Sequence, residues 1–526
     1  MARSQTESGA LPADAAEEQV LRIQTGSGGA VTFDFQPLTG GSDMEFWMSL
    51  YYLPPMYFDS ELNLQPLIFD TWQGNEDTTV WTFTIDPRAQ WSDGTPITAA
   101  QVKGSWEIMA DPLADNSRIQ DYMGNVKGFD NVLALTSQEA SGLVVVNDRT
   151  LEVQLNTSDP IFHWRMATHH MAPVKVEEAR DDIAFFWTPE NNPAYSGPYG
   201  LETWDPDGGT AVMGKNPNWW LGEGQYLDRI EFRYVNEQGT VILMIRNGEV
   251  DVVHPDQVLP PELEAEYPAL FEPIIAFGYN TFWLGAQEEP TNDINVRKAL
   301  ILSVNWEEVH LAAFPLGNAT FINQLLDPDL PCRDEDTSWY PYDPEAALAA
   351  LAESSYGSVE NLPKLRVTSR GERPQNVRAL EAVVEFWRQN LGITNVDFQI
   401  DEEGFGPDIP LINLTRDDVL VRFPDSATYM QVAGRSTSAI ARDAMRGYEN
   451  PELDAVIDQA LAIPPENPER CDIALEAQRI FMNEYPVGIF GAENNNRNAL
   501  AHVKNYSRGP DRTFVEPWQL YIGVEE

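Results

Sequence analysis

Several kinds of residue are scarce in this chain, and each scarcity closes off a class of protein. Only 34 of its 526 residues are Lys or Arg, and of these just 7 are Lys, against 82 Asp and Glu. The formal charge, 34 − 82, is −48. Such a field repels phosphate polyanions and anionic lipid, which excludes nucleic acid and the membrane surface as partners. No stretch approaches the ~18 consecutive apolar residues of a membrane-spanning helix. The 2 cysteines, Cys332 and Cys471, either pair in an oxidising compartment or stay two buried thiols, and their number does not choose. Repeats and low-complexity linkers are absent. So is an apolar leader: residues 2–19 (ARSQTESGALPADAAEEQ) are polar, small and acidic. A stretch of this kind remains when a signal peptide has been cut away, and a chain that stays in the cytosol would read the same.

What is present is material for a core. Hydrophobic residues make up 43% of the chain, and 15 Trp, 18 Tyr and 23 Phe are spread along its length, so high net charge here does not mean disorder. A length well above the ~100–200 residues of one domain predicts two or three lobes. The dense acidity suits either a high-salt protein, where screening acts over a few Å, or an ordinary acidic extracellular one.

Period-2 alternation predicts strands over 20–25 and 79–86. Thr98 is placed to cap a helix running through Val102, Trp106 and Met109. Two β-branched runs around Asn147-Asp148 predict a hairpin over 142–155. A second hairpin is expected around 205–209, where Asp-x-Asp-x-Gly lacks the further ligands of a calcium loop. Residues 227–236 and 249–253 read as strands, and 239–247 as a helix. Beyond Pro290 the pattern predicts helices over 295–314, 343–353, 376–391, 451–461 and 468–484. Strands at 365–369, 396–400, 419–422 and 488–491 are interleaved with them, which implies an α/β lobe.

Residues 81–102 (WTFTIDPRAQWSDGTPITAAQV) resemble the signature of the family 5 extracellular solute-binding proteins, the dipeptide, oligopeptide and nickel receptors of ABC importers. Ser196-Gly197-Pro198-Tyr199, Lys215-Asn216-Pro217-Asn218-Trp219-Trp220, Gly248-Glu249-Val250-Asp251, Asn295-Val296-Arg297-Lys298-Ala299-Leu300, Tyr342-Asp343-Pro344-Glu345-Ala346 and Gly447-Tyr448-Glu449-Asn450-Pro451-Glu452 follow in family order. The resemblance implies an α/β, two-lobed periplasmic-binding-protein-like fold of type II, cluster C, with an extra α/β subdomain inserted in lobe I. After a polar leader (1–19), lobe I would comprise 20–55, 191–275 and 487–526. The inserted subdomain would span 56–190 and lobe II 276–486. Hinge crossings would then lie near Ile275 and Val487, and closure would bury the ligand.

The same resemblance implies capture of a small organic solute outside the cytoplasm and its delivery to an ABC permease by a monomer, with no catalysis and no cofactor. A di- or oligopeptide is the first expectation and an oligosaccharide or sugar conjugate the alternative. A hydrolase is the rival of a different class, but no P-loop, Gly-x-Ser-x-Gly elbow or catalytic cysteine context is present. Family peptide receptors pair a lobe-II Asp with the ligand ammonium, and Asp425 stands in the corresponding segment with Arg422 before it; the bland reading of Asp425 is a cap on a turn. Arg370 and Arg373 follow a strand after which some dipeptide receptors place a carboxylate-binding Arg. Trp283, Tyr279, Phe405 and Tyr429 are candidate cleft aromatics, whereas Trp219 and Trp220 suit core packing better. His163, His169 and His170 lack both ligand spacing and a carboxylate partner, so no metal is expected.

Overall fold

The computed structural model describes residues 10–26, 48–114, 119–183, 188–189, 191–254, 257, 259–274, 279–315, 319–322, 324–326, 330, 332–333, 339–370, 374–401, 412–413, 423–438, 440–493, 496–509 and 513–524. The chain forms two compact units. One comprises Met1–Ile275 with Asn495–Glu526, and the other Ala276–Asn494.

In the first unit β1 (Val20–Thr25) is buried at almost every position, as a strand covered on both faces must be. It pairs in parallel with β8 (Arg229–Tyr234). The sheet continues antiparallel through β7 (Thr210–Lys215) and β6 (Tyr199–Asp205), in the order β1-β8-β7-β6. The β6–β7 turn is closed by Gly208 N donating to Asp205 Oδ1 at 2.8 Å, with Gly209 at φ +65°. Asp205 is therefore a turn-former. A second, antiparallel sheet runs β2 (Phe69–Gly74), β3 (Val80–Ile85), β5 (Thr150–Gln154), β4 (Leu143–Asn147). Helix α1 (Ala99–Met109) covers it, and Thr98 caps the helix by accepting from Gln101 N at 3.3 Å.

The strand expected over 249–253 does not form. The amides of Asp251 and Val252 both donate to the single carbonyl of Arg22, at 2.8 and 3.1 Å, so no ladder can propagate. Asp251 is instead a buried tie. Its Oδ2 accepts from Arg22 N at 2.6 Å and its Oδ1 lies 2.8 Å from His502 Nε2, joining β1 to the chain's last segment.

The second unit has an antiparallel sheet, β9 (Tyr279–Trp283), β14 (Val487–Glu493), β10 (Ala319–Thr320), and a parallel one, β12 (Val396–Asp401), β11 (Leu365–Arg370), β13 (Ile412–Asn413). Because β14 pairs with β9, the chain leaves this unit after residue 494 rather than at the expected Val487. Gly488 is required on β14, since a Cβ there would lie 2.0 Å from the Trp306 ring. The helix expected over 295–314 is two, α2 (Ile294–Leu302) and α3 (Trp306–Ala313), because Asn305 accepts from Glu308 N and starts a new one. The helices that follow are α4 (Pro344–Glu353), α5 (Pro374–Leu391), α6 (Ser426–Gly434), α7 (Pro451–Leu461) and α8 (Pro468–Met482). The strand expected over 419–422 lies outside the described residues. Cys332 and Cys471 are joined. Closing a loop of 139 residues removes on the order of 5 kcal/mol of unfolded-chain entropy in the simple chain model.

The three clustered histidines, His163, His169 and His170, pack as aromatics. His163 stacks on Trp81 with centroids 4.4 Å apart, and His169 lies against His170 at 4.4 Å. Among the described residues no three His, Cys, Asp or Glu side chains converge as metal ligands. Burial holds the His163 imidazole at a pKa of about 4, below its ordinary 6.5, and Asp159 opposes this only partly. The folded state thus favours the neutral ring: its contribution is complete above pH 6.5 and is lost as the pH falls toward 4, a change of about 3 kcal/mol. His163→Phe keeps the stack without the titration. Denaturant unfolding at pH 7 and pH 4 is expected to show a smaller pH difference for the variant, and parallel behaviour of the two proteins would refute the assignment.

Candidate ligand site

In parallel α/β sheets ligands bind outside the carboxyl ends of the strands, where helix amino ends converge. In the second unit that place is the end of β11 and the start of α5. The apolar stripe of α5, Ala379, Leu380, Val383 and Trp387, is fully buried, and the Trp387 indole donates to Leu300 O at 2.9 Å. Asn376 continues this stripe one turn toward the amino end, and it too is buried, with 1% exposed. Among the described residues neither its amide nitrogen nor its carbonyl oxygen has a hydrogen-bond partner. A buried amide left this way costs about 1–3 kcal/mol unless something else satisfies it. The first turn of α5 also contains no acidic residue, so in this acid-rich chain the helix's partial positive charge is not met by its own side chains.

Asn376 was expected only to open the helix. The helix instead starts at Pro374, which moves Asn376 from the cap into the first turn. The sequence does carry the signal, a lone amide in register with an apolar stripe at three- and four-residue spacing.

Asp425 is engaged internally. It caps α6, with Oδ2 accepting from Thr428 N at 2.9 Å and from Thr428 Oγ1 at 2.7 Å. Arg470 clamps both carboxylate oxygens, Nε to Oδ1 at 2.8 Å and Nη2 to Oδ2 at 2.7 Å. The remaining arginine nitrogen donates to the carbonyls of Ala460, Leu461 and Ile463. Both side chains are buried. The cap reading of Asp425 is therefore the one realised, since a ligand ammonium would have to compete with a bidentate guanidinium.

Trp283 and Tyr429 are fully buried. The Trp283 ring packs 6.3 Å from Phe481, and among the described residues its Nε1 has no hydrogen-bond partner. Tyr279 and Arg370 are placed by their backbones in β9 and β11, where Arg370 is in register with Asp401. Arg373, Phe405 and Arg422 lie outside the described residues. Trp220 is buried, and the half-buried Trp219 packs at a tilt against Trp518 with centroids 5.7 Å apart, which is packing against the body of the unit.

The family described as "Bacterial extracellular solute-binding proteins, family 5 Middle" matches residues 63–408. The chain is 24% identical to the oligopeptide-binding protein OppA of Bacillus subtilis (strain 168) over 435 residues, which is 78% of this chain and 76% of that protein. With the periplasmic murein peptide-binding protein MppA of Escherichia coli (strain K12) it shares 23% identity over 485 residues, 87% of this chain and 85% of the other. Haemophilus influenzae OppA in complex with the peptide RPPGFSPFR superposes with a TM-score of 0.74 at 20% identity, covering 97% of this chain and 100% of that one.

Removing one partner of a buried ion pair leaves the other charge stranded, at a cost of about 3–5 kcal/mol. Asp425→Asn is expected to lower the unfolding free energy of the ligand-free protein by that much, and Asp425→Leu with Arg470→Met to recover most of it. Denaturant titration followed by tryptophan fluorescence reads both. If Asp425→Asn leaves stability unchanged, the carboxylate is free for another role.

Proposed function

The chain belongs to the bacterial extracellular solute-binding proteins of family 5, and on that premise we propose that it captures a di- or oligopeptide and hands it to an ABC permease. The family match over 63–408 carries this reading. Peptide rather than oligosaccharide is supported by the names of the relatives, which bind oligopeptides and murein peptides. The protein acts as a monomeric receptor without catalysis or cofactor. It works outside the cytoplasm, a reading supported by the disulfide, which persists in oxidising compartments. Among the described residues no helix is long and apolar enough to cross a membrane.

The amino end of α5 is the ligand-facing element we assign in the second unit. Asn376 supplies a donor pair and an acceptor, and the helix end supplies partial positive charge, which together suit the carboxylate or the main-chain amides of a peptide. Arg370 and Arg373, next to this helix end in sequence, are proposed to assist it, and Arg422, Tyr279 and Phe405 to border the ligand. Main-chain recognition of this kind binds an extended peptide with little reading of its side chains.

A thermal-shift screen against di- and oligopeptides, oligosaccharides and divalent metals tests the proposal. A ligand at ~100 times its dissociation constant adds about 2.7 kcal/mol of stability. Peptides are expected to shift the transition, and Asn376→Ala to weaken the best of them by about 10- to 100-fold. Stabilisation by an oligosaccharide with none by any peptide would overturn the peptide assignment.

A further inference from the structure

The first unit carries a second concave feature, on the sheet that contains β2 to β5. A groove of 660 Å³ runs between α1 and β4, within the size range of ligand pockets. Its helix wall presents Lys103, Gly104 and Glu107, with Arg180 over Gly104, and Glu139 also lines it.

β4 is an edge strand. Gln154 N donates to Gly142 O, so by alternation Val144 faces β5 and Val145 turns its amide and carbonyl away from the sheet. Among the described residues nothing hydrogen-bonds to the main chain of Val145 from that side. Val145 is 38% and Val146 55% exposed. Natural edges usually carry Lys or Pro to deter pairing. This one, Leu143–Asn147, carries neither and no charge at all.

The charges around the groove are unequal in status. Lys103 is held by Glu107 and Glu139, each at 3.0 Å. Arg180 is exposed, lies over Gly104, and has no carboxylate or hydrogen-bond partner for its guanidinium among the described residues. In a chain with 82 acids and 34 bases, a cation left unpaired beside an open edge is complementary to an acid from elsewhere.

We infer that β4 and this groove dock an extended, acid-bearing segment of a partner protein. The segment adds as a further strand on β4, with main-chain hydrogen bonds to Val145, and sets an acidic side chain or its terminal carboxylate on Arg180. A second copy of this chain is the poorer fit, because it would bring another −48 charge against the first. One acid on a short segment is screened beyond about 8 Å at physiological salt and meets mainly Arg180.

The probe is the N-acetylated pentapeptide Thr-Val-Thr-Val-Glu with a free carboxyl terminus, added at millimolar concentration to the full chain, and the readout is hydrogen exchange by mass spectrometry. The expected result is slowed exchange over 143–147, at least tenfold weaker in apparent affinity for Arg180→Gln and for a probe with Gln in place of Glu. Asn376→Ala is expected to leave this protection intact, which separates it from the peptide site proposed above. The melting transition of Arg180→Gln checks that the variant folds. No slowing over 143–147, or equal slowing in Arg180→Gln, overturns the inference. A concentration-dependent dimer that Val145→Lys dissolves would place a second copy on the edge, and it also overturns the inference.

Discussion

The second unit depends on one buried guanidinium. Arg470, at the start of α8, closes on both oxygens of Asp425 at the start of α6 and on three carbonyls at the end of α7. Three helices are thereby fixed by a single planar cation, which a lysine's point charge could not do. The next residue, Cys471, carries the disulfide to Cys332, whose carbonyl accepts from Ser426 Oγ, the residue after Asp425. Ion pair and disulfide therefore tie the same two helix ends, one by satisfying buried charge and the other by limiting the unfolded chain. Desolvating such a pair is expensive, and the net stability it adds over an apolar pair of similar volume is small. What it gives is a geometry from which neither helix can slide without stranding a charge.

The composition becomes intelligible in this light. Among the described residues the buried cations are Arg297, Arg470 and Arg508, and no buried lysine accompanies them. Arg297 donates to Glu484 O and Thr291 O, each at 2.8 Å, pinning α2 to the end of α8. Burial lowers its pKa. A chain that spends some of its few bases inside, on carbonyls as well as carboxylates, needs the arginine fork more than the lysine point charge. Its preponderance of arginine is thus partly a property of its core.

Legibility followed the range of the interaction concerned. Caps are readable because they act within three residues: Thr98 starts the helix expected of it, and the helices expected from 343 and 451 open on the side-chain caps of Asp343 and Asn450. The break at Asn305 was not, since an Asn inside an amphipathic run looks like any polar position until its neighbours pack. Nor was the loss of the strand at 249–253, which rests on a carbonyl more than two hundred residues away. The recognisable motifs turn out to be staples. Asp251 ties β1 to the last segment, Arg297 ties α2 to α8, and Ser196 Oγ accepts from Leu53 N at 2.9 Å. Residues that hold a fold together vary little with its ligand, so such motifs identify a family while leaving the ligand residues unnamed. Asp425 admits both a ligand role and a cap role in the sequence on that account, because its partner Arg470 lies 45 positions on and nothing in the local string announces it.

The charge of −48 bears finally on what kind of group can hold a ligand here. An exposed arginine in such surroundings tends to be captured by a neighbouring acid, as Arg246 is by Glu266 and Arg388 by Glu385. A neutral amide is not. Asn376 at a helix end with no acid in its first turn can therefore stay available to a carboxylate without being titrated by its own protein. The helix end and the amide together are weaker than a guanidinium, yet their attraction is local and survives the salt that would screen a long-range pair. A peptide zwitterion, whose net charge the mean field neither attracts nor repels, is the solute for which that arrangement loses least.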